Sequence, residues 1–443
     1  MLKLLYKWAR RHKRRARVMP VLMRRLHPEQ SDADYIHACY FRERERFLSP
    51  FMVDHPKDAT QRQYSRYKGR RHWRAWFLED VLAQSVNLVV ENGPSIKAIT
   101  GKGRWRQLLE MLWLAVRVPS MPENYYKFEW YKREARKLAS EYLHRYEMKN
   151  VVYSYLNAQG GSASVSLSNK RKFFEHAHAN DVAVVPIIGV VTESGIQFYE
   201  DYDDTVDFDV FVKPVSGKGG RGAERFRFQG DGKGFLSSKG KAFEDFAAIV
   251  KKYRKKAKRS GDKFLVQPRI VNHDALKPLT GEVASTCRVV TILDESGTPE
   301  PVFASFRMPG SLTGVVDNAH AGGISAAVNL QDGTLSKGAY LGLSGDMERH
   351  DKRKDNGAQI EGVQIPAWSE VLDLCRQAHE AFKPRVVVGW DVCMTDAGPL
   401  VVEGNGQPCT DVVQRRIGGP LSHDRFGKLI AFHLKERDSH RPH

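Results

Sequence analysis

The chain has 443 residues, 41% hydrophobic and 28% charged, with a net charge of +18. That length supports two or three domains and a sizeable core. No run nears the ~18 apolar residues of a membrane span, and no apolar block follows the basic N-terminus as a secretory signal requires. The five cysteines are scattered without a CxxC pair, which argues against a zinc site or a disulfide framework and for a reducing cytosol.

The charge is uneven. Residues 1–27 carry ten Lys or Arg and no acid, so more than half of the positive excess sits on one arm. This disfavours a nucleic-acid groove spread over the fold and favours a tail that seeks an anionic surface. Leu2, Leu4, Leu5 and Trp8 among the charges would let an amphipathic arm over 1–28 lie on anionic lipid at the inner membrane face. A solvated basic tail, or a helix docked on the protein's own acidic face, is the plainer reading. No RNA-binding motif is present, so no specific nucleic acid is expected.

Residues 29–150 read as a helical region. Asp32 is placed to cap a helix over 33–47, and 72–90, 107–118 and 125–146 carry helical apolar spacing. Arginines from Arg42 to Arg74 decorate this region as a solvated face, with an accessory surface for an acidic polymer as the alternative. At 151–160 the pattern changes, and Gly160, Gly161 and the serines after them mark a linker or turn. From there the chain reads as mixed α+β. Ser168 caps a helix over 170–178, and 182–191 is a strand run interrupted by Pro186.

The strand 209–213 ends in Lys213, and Ser216, Gly217, Lys218, Gly219, Gly220, Arg221 and Gly222 follow. The segment after them, 223–228, alternates like a strand and not like a helix. This is therefore a glycine-rich hairpin flap whose backbone N–H groups can fold over phosphates, with Lys213 as a point charge beside it. A mobile surface hairpin is the alternative. An amphipathic helix at 241–259 collects lysines in its last turns, where cations offset the helix dipole.

Strands at 264–267, 287–293 and 302–307 follow, the last two around a Ser296–Gly297 turn that brings Arg288 and Arg307 to one end of a hairpin. Two cations placed together need an anion, either a bound phosphate or carboxylate or a nearby acid of the chain. Asn318, His320, Gly322 and Gly323 lie in a loop at 317–324. Residues 342–366 read as a surface loop, 368–382 as a helix, 406–419 as a loop, 420–435 as a helix, and the last eight residues as frayed.

The stretch 386–405 reads as two strands joined at 395–399. In that register Met394 faces Leu400, Val392 faces Val402, Cys393 faces Val401, and Trp390 faces Gly404. Asp391 then faces Glu403, and Gly389 faces Asn405. Like charges directly across a ladder are destabilising, and a hard cation between them reverses the sign. Asp391, Glu403 and Asn405 are thus candidate Mg²⁺ ligands beside a nucleotide, against the alternative of a wet polar strand face.

Lys213, the glycine flap, Gln267, Arg288, Arg307, the Asn318-x-His320-x-Gly322-Gly323 string, Asp391 and the Glu403-x-Asn405 pair follow one another in an order that resembles the ATP-grasp superfamily. The nearest likeness is to sugar-transfer-associated and alpha-L-glutamate ligase-like proteins, over about 166–434. The resemblance implies an α+β ATP-grasp fold over 151–443. A flap lobe at about 205–270 and a metal lobe at about 280–435 would surround a nucleotide cleft, preceded by the helical accessory region. It implies ATP and Mg²⁺. Lys213 and the flap would hold phosphates, and main chain near Val266 and Gln267 would hold adenine. Arg288, Arg307 and Asn318 would act catalytically, and Asp391, Glu403 and Asn405 would hold the metal. The implied reaction is carboxylate–amine ligation through an acyl phosphate, with an amino acid or amine joined to a sugar or polysaccharide precursor. Pro268 stands where many relatives have an acid, and 29–150 do not resemble a glutamate ligase lobe. The rival readings are an ATP-grasp kinase acting on a hydroxyl and a non-catalytic anion- or membrane-binding scaffold.

Overall fold

A computed structural model describes residues 31–40, 42–43, 81–118, 120–160, 166–199, 202–216, 222–230, 232–312, 323–340 and 348–440. The basic arm, the arginine-rich stretch 44–80, the flap residues 217–221 and the 313–322 loop lie outside them.

Two antiparallel sheets dominate. The first has seven strands: β1 (Gly189–Val191), β2 (Ile196–Phe198), β3 (Val210–Pro214), β4 (Glu224–Phe228), β5 (Phe235–Ser237), β6 (Ala242–Phe243) and β7 (Phe264–Pro268), ordered β2-β1-β7-β3-β4-β5-β6. The second has five: β8 (Cys287–Leu293), β9 (Pro299–Met308), β10 (Ile324–Val328), β11 (Val387–Thr395) and β12 (Gly398–Asn405), ordered β10-β9-β8-β11-β12. The longer helices are α1 (Ala83–Thr100), α2 (Arg104–Arg117), α3 (Lys170–His178), α4 (Phe246–Ser260), α5 (Trp368–Ala381), α6 (Thr410–Ile417) and α7 (Arg425–Ser439).

Period-two alternation builds the first sheet. Val210, Val212 and Phe226 point to one face, where Phe246, Ile249, Tyr253 and Ala257 of α4 bury them. Asp245 caps α4 by accepting the Ala248 N–H at 2.7 Å, and Gly261 ends it at φ 70°. Lys258 and Arg259 occupy the last turn, as the dipole argument expects.

The second sheet is covered on both faces. Val289, Phe306, Trp390 and Val392 pack under α5. On the other face Val290, Ile292, Phe303 and Val387 pack with Phe426, Leu429, Ile430 and Leu434 of α7 and with residues 148–156. That second face is split along the strands. Its apolar half is this core, and its polar half carries Arg288, Arg307 and Asp391.

A short strap joins the sheets. Val401 of β12 receives the Val185 N–H at 3.2 Å and donates its own N–H to Ala183 at 2.9 Å. Three residues on, Ile188 donates to Val266 of β7 at 2.9 Å, and β1 begins.

Several expectations are corrected. Ser31, and not Asp32, caps the first described helix, its Oγ accepting the Asp34 N–H at 3.1 Å. The continuous helix at 125–146 is broken into short pieces around Glu129, which adopts φ 56°. Residues 151–160 are helical, and Val151, Val152, Tyr153, Tyr155 and Leu156 are core and not linker. Asn169, not Ser168, caps α3 by accepting the Lys172 N–H at 3.2 Å. Of 182–191, only Gly189–Val191 is strand. The 348–366 part of the supposed surface loop buries Arg353, Ile360 and Ile365. The loop expected at 406–419 contains α6, and α7 runs to Ser439 where fraying was expected.

Candidate active site

Asp391 and Glu403 are direct cross-strand partners, with Gly389 opposite Asn405. The expected pairing holds here, but the hairpin reaches it by another route. Thr395 pairs with Gly398, so the loop is only two residues long. Cys393 then faces Leu400, and Met394 faces Pro399. A bulge at Asp391/Val392 admits one extra residue on β12 and restores the pairing at the polar end.

Asp391 is 3% exposed. On its other side it faces Arg288 of β8. Arg288 Nε donates to Asp391 Oδ1, and Arg288 Nη2 donates to Oδ2 at 2.7 Å. Arg307 Nη1 donates to the same Oδ2 at 3.1 Å. The two arginines therefore meet as the hairpin reading requires, and the anion between them is a side chain of the protein.

Burial alone would raise the Asp391 pKa, but Arg288 and Arg307 outweigh it and hold it at about 2. Glu403 is pushed the other way, by burial and then by the Asp391 charge. Lys213 of β3 and Lys170 at the start of α3 both lie within electrostatic reach of Glu403 and of each other. Burial lowers both, Lys213 to about 8. The charges of both lysines thus act on one carboxylate.

Local sequence explains these positions. A Cβ at Gly404 would lie 2.8 Å from Leu167 and 3.3 Å from the Phe173 ring, so glycine lets α3 close on β12 and brings Lys170 in. Lys213 sits on β3 just before the flap, and β3 and β4 pair as an antiparallel hairpin. Ser216 is exposed at the flap base, and Gly222 at its far side has φ 80°. Gly217, Lys218, Gly219, Gly220 and Asn318 lie outside the described residues.

Val266 and Gln267 are engaged within the fold. The Val266 carbonyl accepts from Ile188, and the Gln267 carboxamide donates to Val185 and Pro186 carbonyls at 3.2 and 3.1 Å. Lys170 was not singled out from sequence. Only its place behind the Asn169 cap marked it, and Arg171 and Lys172 share that mark.

Among the described residues no three His, Cys, Asp or Glu side chains gather as a metal cage. The candidate set is two carboxylates and a carboxamide, oxygen donors of the kind Mg²⁺ prefers. A carboxylate offers about four lone-pair positions, and three N–H groups fill three of those on Asp391. The remaining one faces Glu403, with which Asp391 shares a hydrogen bond, and a cation bound here would take the place of that shared proton. Asn405 Oδ1 accepts the Gln407 N–H at 2.9 Å and keeps a second lone pair. The donors fit a hard divalent ion, and its charge would relieve the repulsion that raises Glu403.

A split pair of antiparallel sheets, a glycine hairpin and a carboxylate pair flanked by lysines and arginines define the ATP-grasp fold. The chain belongs to the sugar-transfer associated ATP-grasp family, whose model matches residues 151–423. No curated protein matches its sequence. Among solved structures it is similar to D-alanine–D-alanine ligase from Bacillus anthracis, at 14% identity over 70% of this chain and 86% of that one, with a TM-score of 0.36. It is also similar to biotin carboxylase from Campylobacter jejuni (11%, 62% and 47%, TM-score 0.37) and to L-amino acid ligase from Bacillus licheniformis (10%, 61% and 48%, TM-score 0.31). The last two chains are covered over less than half their length, and all three likenesses are distant.

Proposed function

We propose that the protein is an ATP- and Mg²⁺-dependent carboxylate–amine ligase that joins an amino acid or amine to a sugar or polysaccharide precursor. The observation that carries this reading is that Arg288 and Arg307 bond Asp391 while Lys170 and Lys213 act electrostatically on its cross-strand partner Glu403. Four cations around two carboxylates leave positive charge over, which suits a polyanionic ligand such as a triphosphate.

In this reading Lys170 and Lys213 neutralise phosphate oxygens beneath the flap. Asp391, Glu403 and Asn405 hold the Mg²⁺, which supplies charge neutralisation to the phosphates when bound. Main chain near Val266 and Gln267 borders the base. Arg307, held to Asp391 by a single hydrogen bond, has donors left for a transferring phosphoryl group, while Arg288 orients Asp391. Asn318 is assigned to the same step from its motif.

Cys287 and Cys393 beside the site are buried and Cys409 near Arg288 is half-buried; in this reading none of them acts, and the nucleophile comes from substrate. A substrate carboxylate oxygen attacks the γ-phosphorus, and ADP leaves. The amine nitrogen then attacks the acyl carbon, phosphate leaves with the carboxylate oxygen, and the amine loses a proton. The chain's part is positioning and charge stabilisation. The family's sugar-transfer association supports a glycan carboxylate or amino sugar as one substrate. Residues 1–27 would hold the enzyme near an anionic inner membrane face.

The test supplies uronic and amino acids with heavy-oxygen carboxylates, together with amines and Mg-ATP. Heavy oxygen in the released phosphate supports the ligase. A phosphorylated acceptor without label transfer overturns it in favour of a kinase.

A further inference from the structure

The helix α2 is apolar on two opposite faces. Leu108, Met111, Leu114 and Ala115 are buried against α1 and the aromatic cluster of Tyr125, Tyr126 and Trp130. The outer face presents Trp105, Leu109, Trp113 and Val116, exposed by 44, 64, 55 and 54%. These recur every three or four residues and form one stripe along the axis. A surface helix normally turns charge outward, and a contiguous apolar patch signals an interaction surface.

The remaining exposed residues of α2 are Arg104, Arg106 and Arg117. Its one acid, Glu110, is turned inward and held by Lys102 at 2.7 Å, Arg136 at 2.9 Å and the Tyr125 hydroxyl at 2.6 Å. Within α2 the exposed charges beside the stripe are therefore all cationic, although Arg106 Nε also reaches Glu110 at 3.4 Å. Two occupants of the stripe bring the wrong sign. A second copy would set arginine against arginine about the two-fold axis, and the chain's own segment 1–27 would bring ten more cations. An anionic lipid surface brings the complementary charge. It also suits the residue types, since tryptophan seeks the headgroup boundary and arginine its phosphates. At about 21 Å, α2 is shorter than the ~30 Å hydrocarbon core, and no described helix is apolar enough to cross a membrane. The helix would lie along the surface.

We infer that the outer face of α2, through Trp105, Leu109, Trp113 and Val116 with Arg104, Arg106 and Arg117, docks the protein on an anionic bilayer surface. This surface is built from residues other than those of the basic arm, and the inference stands independently of the ligase reading.

The test uses the full chain with vesicles of phosphatidylcholine, with and without 30% phosphatidylglycerol, carrying brominated acyl chains. Wild-type tryptophan fluorescence should be quenched by the anionic vesicles only. The W105F/W113F variant should still co-sediment with them but lose most of that quenching, which separates α2 from Trp8 of the arm. The L109S/W113S variant should bind at least ten-fold more weakly, with an unchanged unfolding midpoint. Undiminished quenching in W105F/W113F, or unweakened binding of L109S/W113S, overturns the proposal in favour of the arm. A concentration-dependent dimer that L109S/W113S dissociates overturns it in favour of a second copy. Absence of vesicle binding by the wild type overturns it outright.

Discussion

Asp391 and Glu403 face each other across one rung of β11 and β12, yet their acidities are driven apart. Burial opposes ionisation of both, but Arg288 and Arg307 hold Asp391 at about 2, while the Asp391 charge adds to burial in raising Glu403. Such a pair titrates as a unit. Its low-pKa member is already neutralised by protein, and its high-pKa member is the one that a bound cation would stabilise in ionised form.

Glu403→Gln should therefore uncouple stability from activity. The substitution removes the burial and like-charge cost of ionising position 403 beside Asp391, so the unliganded protein should unfold at the same or a higher temperature. Mg²⁺-dependent ATP turnover should fall by ~100-fold or more if the carboxylate is a ligand. The pH profile gives a second check. A raised carboxyl stabilises fully below its ordinary value of 4.5 and loses that contribution as pH rises through its folded pKa. Denaturant midpoints between pH 4 and 8 should lose this falling component in the variant.

Arg288→Met should act oppositely. It leaves Asp391 buried with Arg307 alone, a loss of about 3 kcal/mol at pH 7. The depressed Asp391 contributes stability above its ordinary 3.8 that disappears as pH falls through about 2. Without Arg288 that loss should begin at higher pH, and acid unfolding followed by circular dichroism should show a raised midpoint.

Lys213 should be more reactive near neutrality than an ordinary lysine. With a pKa of about 8 it is about half neutral at pH 8, where an ordinary lysine is below about 1% neutral. Brief acetylation at pH 8 followed by peptide mass spectrometry should label it ahead of the exposed lysines of α4. Mg-ATP should protect it, and unprotected labelling would place the triphosphate elsewhere.

Asp438→Ala tests how firmly residues 31–43 are joined to the sheets. Asp438 of α7 accepts the Tyr35 hydroxyl at 2.6 Å, Arg42 Nη2 at 2.6 Å and the Tyr155 hydroxyl at 2.9 Å. Losing these should cost about 2 kcal/mol. Because Ile36, Cys39 and Tyr40 share a core with Val290, Ile292 and Leu434, calorimetry should show the helical residues and the second sheet melting together. A separate early transition would contradict the shared core.

The site was more legible than the helices around it. Charge opposition at Asp391 and Glu403 is a local signal carried by period-two alternation, and a five-residue turn without a bulge gives the same rung as a two-residue turn with one. The α6 segment was hidden because Pro408, Gly418 and Gly419 bracket it. Its buried face also includes Arg415 and Arg416, which polarity alone assigns to solvent. The break at Glu129 was invisible for a related reason. Its left-handed backbone is stabilised by tertiary contacts, including Arg349 Nη2 at 3.3 Å, and not by a turn-forming residue type. Lys170 needed the third dimension, since only the packing of α3 on Gly404 separates it from its basic neighbours.

The strap between the sheets limits how far they can separate. Only Pro186 and Ile187 separate Val185, tied to β12, from Ile188, tied to β7, and Gln267 latches the Val185 and Pro186 carbonyls. Even drawn taut, that span reaches about 10 Å. At this corner β12 and β7 cannot draw further apart than that without breaking the hydrogen bonds of Val185 or Ile188.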